Sequence, residues 1–420
     1  MQLLNISEWL DWIGSVHNSE IELGLDRVKK VAEKMDILTF EIPIITVGGT
    51  NGKGSTVAGL ESIYRTAGYR VGTFTSPILF RHNEYVQING NCATDQDFCN
   101  AYALIEQARG QISLTAFEYH TLAALFLFKT NELDVCILEV GLGGRLDAVN
   151  IIDPDVSVIA SIGVDHVEWL GYTLEEISRE KAGILRLNGY AVYGEDGSNH
   201  PLLREAQKIG TELIYLNKYY QYQLFDQHWE WSCSDICIDQ LPYNALATQN
   251  MALVLMVIHL LQNKLPVTVE KIHNGLILTK LTGRIQHITG KVERILDVSH
   301  NPAAVGFLAK HLSGLTFSGK KIAVFSMLAD KDIPSCLEMI SDQFDAWFVA
   351  PLNVKRGASL EKLQQVFNNL GVENVSYFNA ISDAYFSAMQ VAVPGDLVVI
   401  FGSFYTVSAV YPLLDQVIAV

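Results

Sequence analysis

The sequence predicts an α/β protein of two domains: an N-terminal P-loop-type domain with a mainly parallel sheet over 1–284, and a smaller C-terminal Rossmann-like α/β domain over 285–420. Three observations predict this. Short β-branched runs alternate with segments of helical period, the signature of βαβ units. The stretch "VGGTNGKGST", residues 47–56, directly follows the apolar run "IPIIT". The alternation then starts afresh after about residue 285, and a chain of 420 residues is long for a single core.

The N-terminal stretch "MQLLNISEWLDWIGSVH" has no basic n-region and carries Glu8 and Asp11, which argues against a signal peptide. Strands are expected at Ile42 to Val47, Arg70 to Phe74, Asp134 to Val140 and Val156 to Ile162, with helices filling much of the space between them. From 186 to 245 the pattern is harder to place: "YYQYQLFDQHWEWSCSDICID" alternates like β-hairpins but has no clear partner. In the second domain "VERILDVS", "KKIAVFS", "DAWFVAP" and "DLVVIFGS" read as strands. They are separated by helical segments "AAVGFLAKHL", "PSCLEMISDQF", "SLEKLQQVFNNL" and "DAYFSAMQVA". The longest apolar stretch, "MALVLMVIHLL", is too short to span a bilayer.

Composition narrows the function classes. Apolar residues make up 49% and charged ones 18%, as in a globular enzyme. The net charge of −16, from 30 basic and 46 acidic residues, argues against a nucleic-acid or anionic-membrane binder. The six cysteines, Cys92, Cys99, Cys136, Cys233, Cys237 and Cys336, lie at no zinc-ligand spacing and read as reduced thiols of a cytoplasmic protein.

A strand, a glycine-rich turn and a helix in that order form a phosphate cradle: successive backbone N–H groups and the helix N-terminus face the anion. The cradle would comprise Thr50, Asn51, Gly52, Lys53, Gly54 and Ser55, with Lys53 on the β/γ-phosphates and Ser55 or Thr56 reaching a magnesium ion. The spacing departs from the strict pattern, because Gly54 intervenes between Lys53 and Ser55 and the first glycine is displaced. In "LDVCILEVGLGGRLDAVN" a strand ends in Glu139, a carboxylate placed to hold magnesium directly or through water. In "SVIASIGVDHVEWLG" a strand ends near Asp165 and His166, on the same rim as Glu139. Lys181 of "REKAGIL" reads by itself as a surface lysine, and Phe117 as a core aromatic.

Seven motifs, "GTNGKGS", "TSP", "EVGLGGRLDAVN", "DHVEWLG", "EKAGI", "DVSHNPAA" and "MLADKD", occur in the order seen in the folylpolyglutamate synthase family, relatives of the Mur ligases. The sequence resembles that family from about residue 19 to 407. The resemblance implies ATP-dependent joining of L-glutamate to a pteroate or folate carboxylate through an acyl phosphate, with Mg²⁺ as cofactor and ATP, dihydropteroate, folates and L-glutamate as partners. It implies metal ligation by Ser76, Glu139 and His166, and carbamylation of Lys181 by CO₂. Catalytic roles are implied for Lys53, Lys181 and His300, and ATP contacts for Asn250, Arg284 and Asp297. Pterin contacts fall on Glu20, Ile21, Glu22 and Leu23, on Thr115, Ala116, Phe117 and Glu118, and on Leu146, Asp147 and Ala148. The acyl phosphate would be shielded by closure of the second domain. Neither nucleic acid nor membrane is an implied partner, and the implied state is a monomer. Asn301 would act as an N-cap, a role compatible with facing the reaction. The sequence departs from the family pattern at Ile78 and Tyr405, where histidine is usual, and at Thr282, where proline is.

Two other classes stand beside this reading. A Mur-type ligase acting on another acid would share the chemistry, but "GLGGRLDA" is of the folate type. A non-enzymatic nucleotide switch would need only the phosphate cradle, and not Glu139, His166 and Lys181 together.

Overall fold

Five consecutive buried residues after Pro43 form strand β1 (Ile44–Gly48), the middle of the first sheet. The computed structural model describes residues 4–19, 21–234, 236–315 and 317–414. The chain divides into two compact units, Met1–Lys280 and Leu281–Val420. The sequence places this boundary at 284/285, four residues further on.

In the first unit β1 is followed by β2 (Val71–Phe74), β3 (Val86–Ile88), β4 (Asn91–Cys92), β5 (Val135–Glu139), β6 (Val156–Ile159), β7 (Tyr190–Asp196) and β8 (Glu212–Leu216). Then come β9 (Tyr220–Leu224), β10 (Trp229–Cys233) and β11 (Ile236–Leu241). They join in the order β11-β10-β9-β8-β7-β6-β1-β5-β2-β3-β4. Strands β2, β5, β1, β6, β7 and β8 run parallel. Strands β1, β2, β5 and β6 are buried at every residue, as strands covered on both faces must be. Helix Lys53–Thr66 packs on β1, β2 and β5, Ala116–Thr130 on β2 and Thr248–Leu260 on β7, and the last two are themselves largely buried.

The expected strand at Val156 to Ile162 ends at Ile159: Ala160 N still donates to Gly48 O, but from Ser161 on the chain bonds to the loop after β1 instead of the sheet. The alternating segment that lacked a partner in the sequence is an antiparallel extension of this same sheet. It joins β8 through the pair Leu216 and Tyr220. Its Trp229 and Trp231 are buried, and their indole N–H groups donate to Pro242 O at 2.9 Å and Ala252 O at 3.0 Å, satisfying the polar end of each ring.

The second unit carries a six-stranded sheet of β12 (Gln286–Ile288), β13 (Glu293–Asp297), β14 (Lys321–Phe325), β15 (Ala346–Val349), β16 (Val375–Tyr377) and β17 (Leu397–Phe401). The order is β12-β13-β17-β14-β15-β16, parallel except for β12. The segment "PSCLEMISDQF" is not one helix: it is Ile333–Glu338 followed by a 3₁₀ turn at Ser341–Gln343. Each unit has its own core. Ile295, Phe325, Trp347, Phe367 and Phe401 belong to the second, while Phe74, Tyr102, Leu122 and Phe128 belong to the first.

Parallel strands bring their carboxyl ends to one edge. In the first unit the segments after β1, β2, β5 and β6 therefore share a rim, the place where open α/β sheets bind ligands.

Candidate active site

The loop after β1 is built from groups that leave its backbone bare. At Gly49 a side chain would come within 3.1 Å of the backbone nitrogens of Ala160 and Ser161. At Gly52, with φ +86°, a Cβ would lie 2.6 Å from Asn250 Oδ1, so only glycine fits. Thr50 N donates to Ser161 O at 2.8 Å, and Asn51 N donates to Ser161 Oγ at 2.9 Å. Thr50 Oγ1 donates to Gly163 O at 3.0 Å. Lys53 opens the helix Lys53–Thr66 and folds its Nζ back over the loop, donating to Gly49 O at 3.1 Å and Thr50 O at 3.3 Å. Of the two hydroxyls considered for magnesium, that of Thr56 donates to Gly52 O at 2.9 Å within its own helix. Ser55 is buried beside it.

Glu139 is the last residue of β5, paired in register with Val47, and is only 4% exposed. Its Oε2 accepts the backbone N–H of Ser76 at 3.2 Å, so two of the three residues expected at the metal are neighbours. His166 lies beyond β6, on the other side of β1. Its φ is +52°, its side chain is 40% exposed, and its Nε2 is 4.0 Å from Asp165 Oδ2. Among the described residues no group of three or more His, Cys, Asp or Glu side chains is arranged to hold a metal alone.

Lys181 is not the surface residue that its sequence context suggests: it is 3% exposed, near the end of helix Leu174–Ala182. Burial pushes its ammonium down to about 7, the charge of Lys53 pushes the same way, and Asp165 opposes both. Asp147, also buried, is pushed up to about 6 by burial. The N–H groups of Leu142, Val149 and Gly141 and the charge of Lys53 hold it from rising further. Its carboxylate accepts Leu142 N at 2.8 Å and Val149 N at 3.0 Å, which shapes the glycine turn after β5. Lys53 thus acts electrostatically on both Lys181 and Asp147, and Asp165 on Lys181.

The three stretches expected to hold a pterin converge, although Glu20 lies outside the described residues. Gly24 N donates to Leu146 O at 3.2 Å, joining the segment that holds Ile21, Glu22 and Leu23 to the one holding Leu146, Asp147 and Ala148. Arg27 ties the first stretch to the second. It pairs with the Glu22 carboxylate, donates to Glu22 O at 2.9 Å and reaches Glu118 Oε1 at 3.3 Å. Thr115 and Glu118 form a capping box around Ala116, which fixes the start of helix Ala116–Thr130. Phe117 lies 5.7 Å from Phe74, and a Cβ at Gly141 would be 2.6 Å from its Cζ. The ring therefore faces the glycine turn. Arg145 donates to Glu180 Oε1 at 3.0 and 2.8 Å, locking that turn to the helix of Lys181.

In the second unit Asp297 ends β13, and its carboxylate accepts Ile285 N and Ser299 N, both at 2.8 Å. The Arg284 guanidinium sits over Phe404 at 5.0 Å, and the His300 ring is 5.9 Å from the same ring. Phe404 thus brings Arg284 and His300 together. Asn301 caps helix Pro302–Gly314 by accepting Ala304 N at 3.0 Å.

Sequence reasoning missed Arg27, Ser161 and Phe404. None carries a local signal: each is defined by partners distant in the chain.

The model of the Mur ligase middle domain matches residues 47–230, and that of the Mur ligase glutamate ligase domain matches 283–404. The dihydrofolate synthase/folylpolyglutamate synthase of Escherichia coli K12 is 40% identical over 98% of this chain and 96% of its own. The protein of that name from Haemophilus influenzae is 38% identical over 98% of each. Among solved structures, the E. coli protein in complex with DHPP and ADP superimposes with a TM-score of 0.93 at 40% identity, covering 98% of both chains. A bifunctional folylpolyglutamate synthase/dihydrofolate synthase with Mn, AMPPNP and L-glutamate bound gives 0.91 at 41% identity, again over 98% of both. The chain belongs to the dihydrofolate synthase/folylpolyglutamate synthase family, ATP-dependent acid–amino-acid ligases of the Mur type.

Proposed function

We propose that this protein joins the amine of L-glutamate to the carboxylate of dihydropteroate and, as a second activity, to the γ-carboxylate of folate (poly)glutamates, each time consuming ATP. The observation that carries the reading is the charged group beside the glycine loop. Lys53 is bent over Gly49 and Thr50, Lys181 and Asp147 lie in its field, and Glu139 ends the neighbouring strand. The nucleotide, manganese, L-glutamate and DHPP bound by similar proteins support it.

A carboxylate oxygen of the acceptor attacks the γ-phosphorus, ADP departs and an acyl phosphate forms. The glutamate amine then attacks the acyl carbon, loses its proton, and inorganic phosphate departs. Such transfer is mostly positioning and charge neutralisation. Lys53 and the N–H groups of residues 52–55 hold the phosphates, with Thr50 and Asn51 lining the cradle while their own N–H groups are tied to Ser161, and Asn250, Arg284 and Asp297 contact the rest of the nucleotide. His300 is a catalytic group of the second unit.

A magnesium ion fits the donors present, a carboxylate and a hydroxyl from Glu139 and Ser76 with the His166 imidazole, since Mg²⁺ takes few protein ligands beside phosphate and water. It would neutralise charge on the phosphate oxygens. The Lys181 amine, with a substantial neutral fraction near pH 7, is able to attack CO₂, forming an N–C bond and releasing a proton, which makes the side chain an anionic carbamate. Asp147 and Phe117 would hold the pterin by hydrogen bonding and stacking, with residues 21–23, 115, 116, 118, 146 and 148 around them. The protein is proposed to work as a cytoplasmic monomer; its six free cysteines fit a reducing compartment.

Phosphate release from ATP with magnesium and L-glutamate tests the proposal, with dihydropteroate, tetrahydrofolate monoglutamate or neither added. Release is expected with each acceptor and not without one. Release with the folate alone would reduce the function to chain extension, and none with either would point to another acid.

A further inference from the structure

Strands β2 and β3 are joined not by a tight turn but by an excursion, residues 75–85, that rises from the rim of the site. Its neck is tied: Thr75 N donates to Tyr85 O at 3.0 Å, and Thr75 Oγ1 donates to Glu84 O at 3.3 Å. Inside it, one carboxylate gathers three consecutive backbone N–H groups. Glu84 Oε2 accepts Leu79 N at 2.7 Å, and Oε1 accepts Phe80 N at 3.0 Å and Arg81 N at 2.9 Å. Converging N–H groups of this kind form an anion nest, and here the anion is supplied by the loop itself.

A second anchor holds the excursion from below. His82 Nε2 is 2.5 Å from the Tyr102 hydroxyl, which is 3.0 Å from His120 Nδ1. The rings of His82 and His120 meet edge to face at 4.6 Å. His120 belongs to helix Ala116–Thr130, so the anchor reaches the element that Thr115 caps and whose first turn carries Phe117. Burial pushes His82 down to about 4 and His120 well below the ordinary range, so the chain joins two neutral imidazoles through one hydroxyl.

What the excursion carries is Ser76, whose N–H is donated to Glu139 Oε2. We propose that Glu84, and Tyr102 from the other side, are positioning residues for the metal site: they fix the backbone of residues 76–82, which holds Ser76 against Glu139 and aims that carboxylate. The inference rests on the reading of Ser76 and Glu139 as metal-holding groups. Residues that orient a metal ligand in this way typically change metal affinity about 10–100-fold when lost.

Glu84→Gln tests it, because the amide turns one acceptor into a donor facing an N–H. Mn²⁺ binding to the protein saturated with a non-hydrolysable ATP analogue is followed by electron paramagnetic resonance, with amide hydrogen exchange and melting temperature measured alongside. Glu139→Gln is the reference. Mn²⁺ affinity is expected to fall about tenfold in Glu84→Gln, with faster exchange at residues 76–82, while affinity for metal-free ADP stays as in the native protein. Native Mn²⁺ affinity in Glu84→Gln, with weakened affinity in Glu139→Gln, would overturn the proposal. Native affinity in Glu139→Gln would instead overturn the metal reading beneath it. Should Glu84→Gln not fold, Tyr102→Phe removes only the shared hydroxyl. A severalfold loss of Mn²⁺ affinity supports the proposal there, and no loss rejects it.

Discussion

A lysine and an aspartate within the field of Lys53 have both been moved toward neutrality by the same cause, removal from water. For Lys181 the folded value of about 7 lies below the 10.5 of an exposed lysine. Between these values the unfolded chain binds more protons than the folded one, so stability rises as pH climbs from about 7 to 10.5. Lys181→Met should flatten that rise in CO₂-free buffer, measured as denaturation midpoint against pH, and should abolish a carbamate resonance after addition of ¹³CO₂ to the native protein. For Asp147 the folded value of about 6 lies above the ordinary 3.8, so the sign reverses. Its contribution is fully present below pH 3.8 and is lost as pH rises through about 6, at a cost of roughly 3 kcal/mol at neutrality. Asp147→Asn should therefore flatten the fall in stability between pH 3.8 and about 6, measured as denaturation midpoint against pH, even though its amide satisfies only one of the two N–H groups of Leu142 and Val149. If the carboxylate binds the pterin, the acceptor KM should rise in the native protein as pH falls through about 6, and this step should vanish in Asp147→Asn. The types of these residues are readable in the sequence, but their burial is not. Lys181 follows Glu180 in a charged stretch, and only the packed helix shows that its own side chain points inward.

The element to which the proposed mechanism gives most of the chemistry is the glycine loop between β1 and helix Lys53–Thr66. Its strand–loop–helix order was legible because alternation and glycine clustering are local signals. The strand ends at Val47, Phe74 and Val140 were legible to within one residue for the same reason. The clamp on the loop was not legible, because Ser161 and Asn250 reach it from beyond β6 and from helix Thr248–Leu260. The hairpins after β8 escaped assignment for a related reason. Their partner is the edge of a parallel sheet, joined at Leu216 and Tyr220, and an edge leaves no mark in the joining strand's own pattern. Gly52→Ala measures the loop directly. The new methyl group would sit 2.6 Å from Asn250 Oδ1 at a φ of +86°, so the loop or Asn250 must shift by close to an ångström. A displacement of that size costs roughly 100-fold in turnover, expected as a fall in kcat with little change in melting temperature. A large loss of stability instead would mean that the glycine serves folding first.

At the scale of the whole molecule, the proposed chemistry is divided between two units whose cores share no residues. Phe74, Tyr102 and Phe128 pack in one, and Phe325, Trp347 and Phe401 in the other. The renewal of strand and helix alternation was the sequence's trace of this division, since each sheet must be built from its own run of βα units. The division also separates the roles. Lys53, Glu139, Lys181 and Asn250 precede Lys280, whereas Arg284, Asp297 and His300 follow it. A unit with its own core folds as an independent domain. The fragment Met1–Lys280 is therefore expected to melt cooperatively and to bind an ATP analogue, because the glycine loop, its Ser161 clamp and Asn250 are all present. It should release no phosphate in the presence of L-glutamate and either acceptor, since the groups proposed for the second unit are missing. Calorimetry and the phosphate assay together decide the point: a folded, nucleotide-binding and silent fragment assigns the second unit, where Arg284, Asp297 and His300 lie, a necessary part in the reaction. A fragment as active as the full chain would remove them from it and leave the second sheet without a catalytic part.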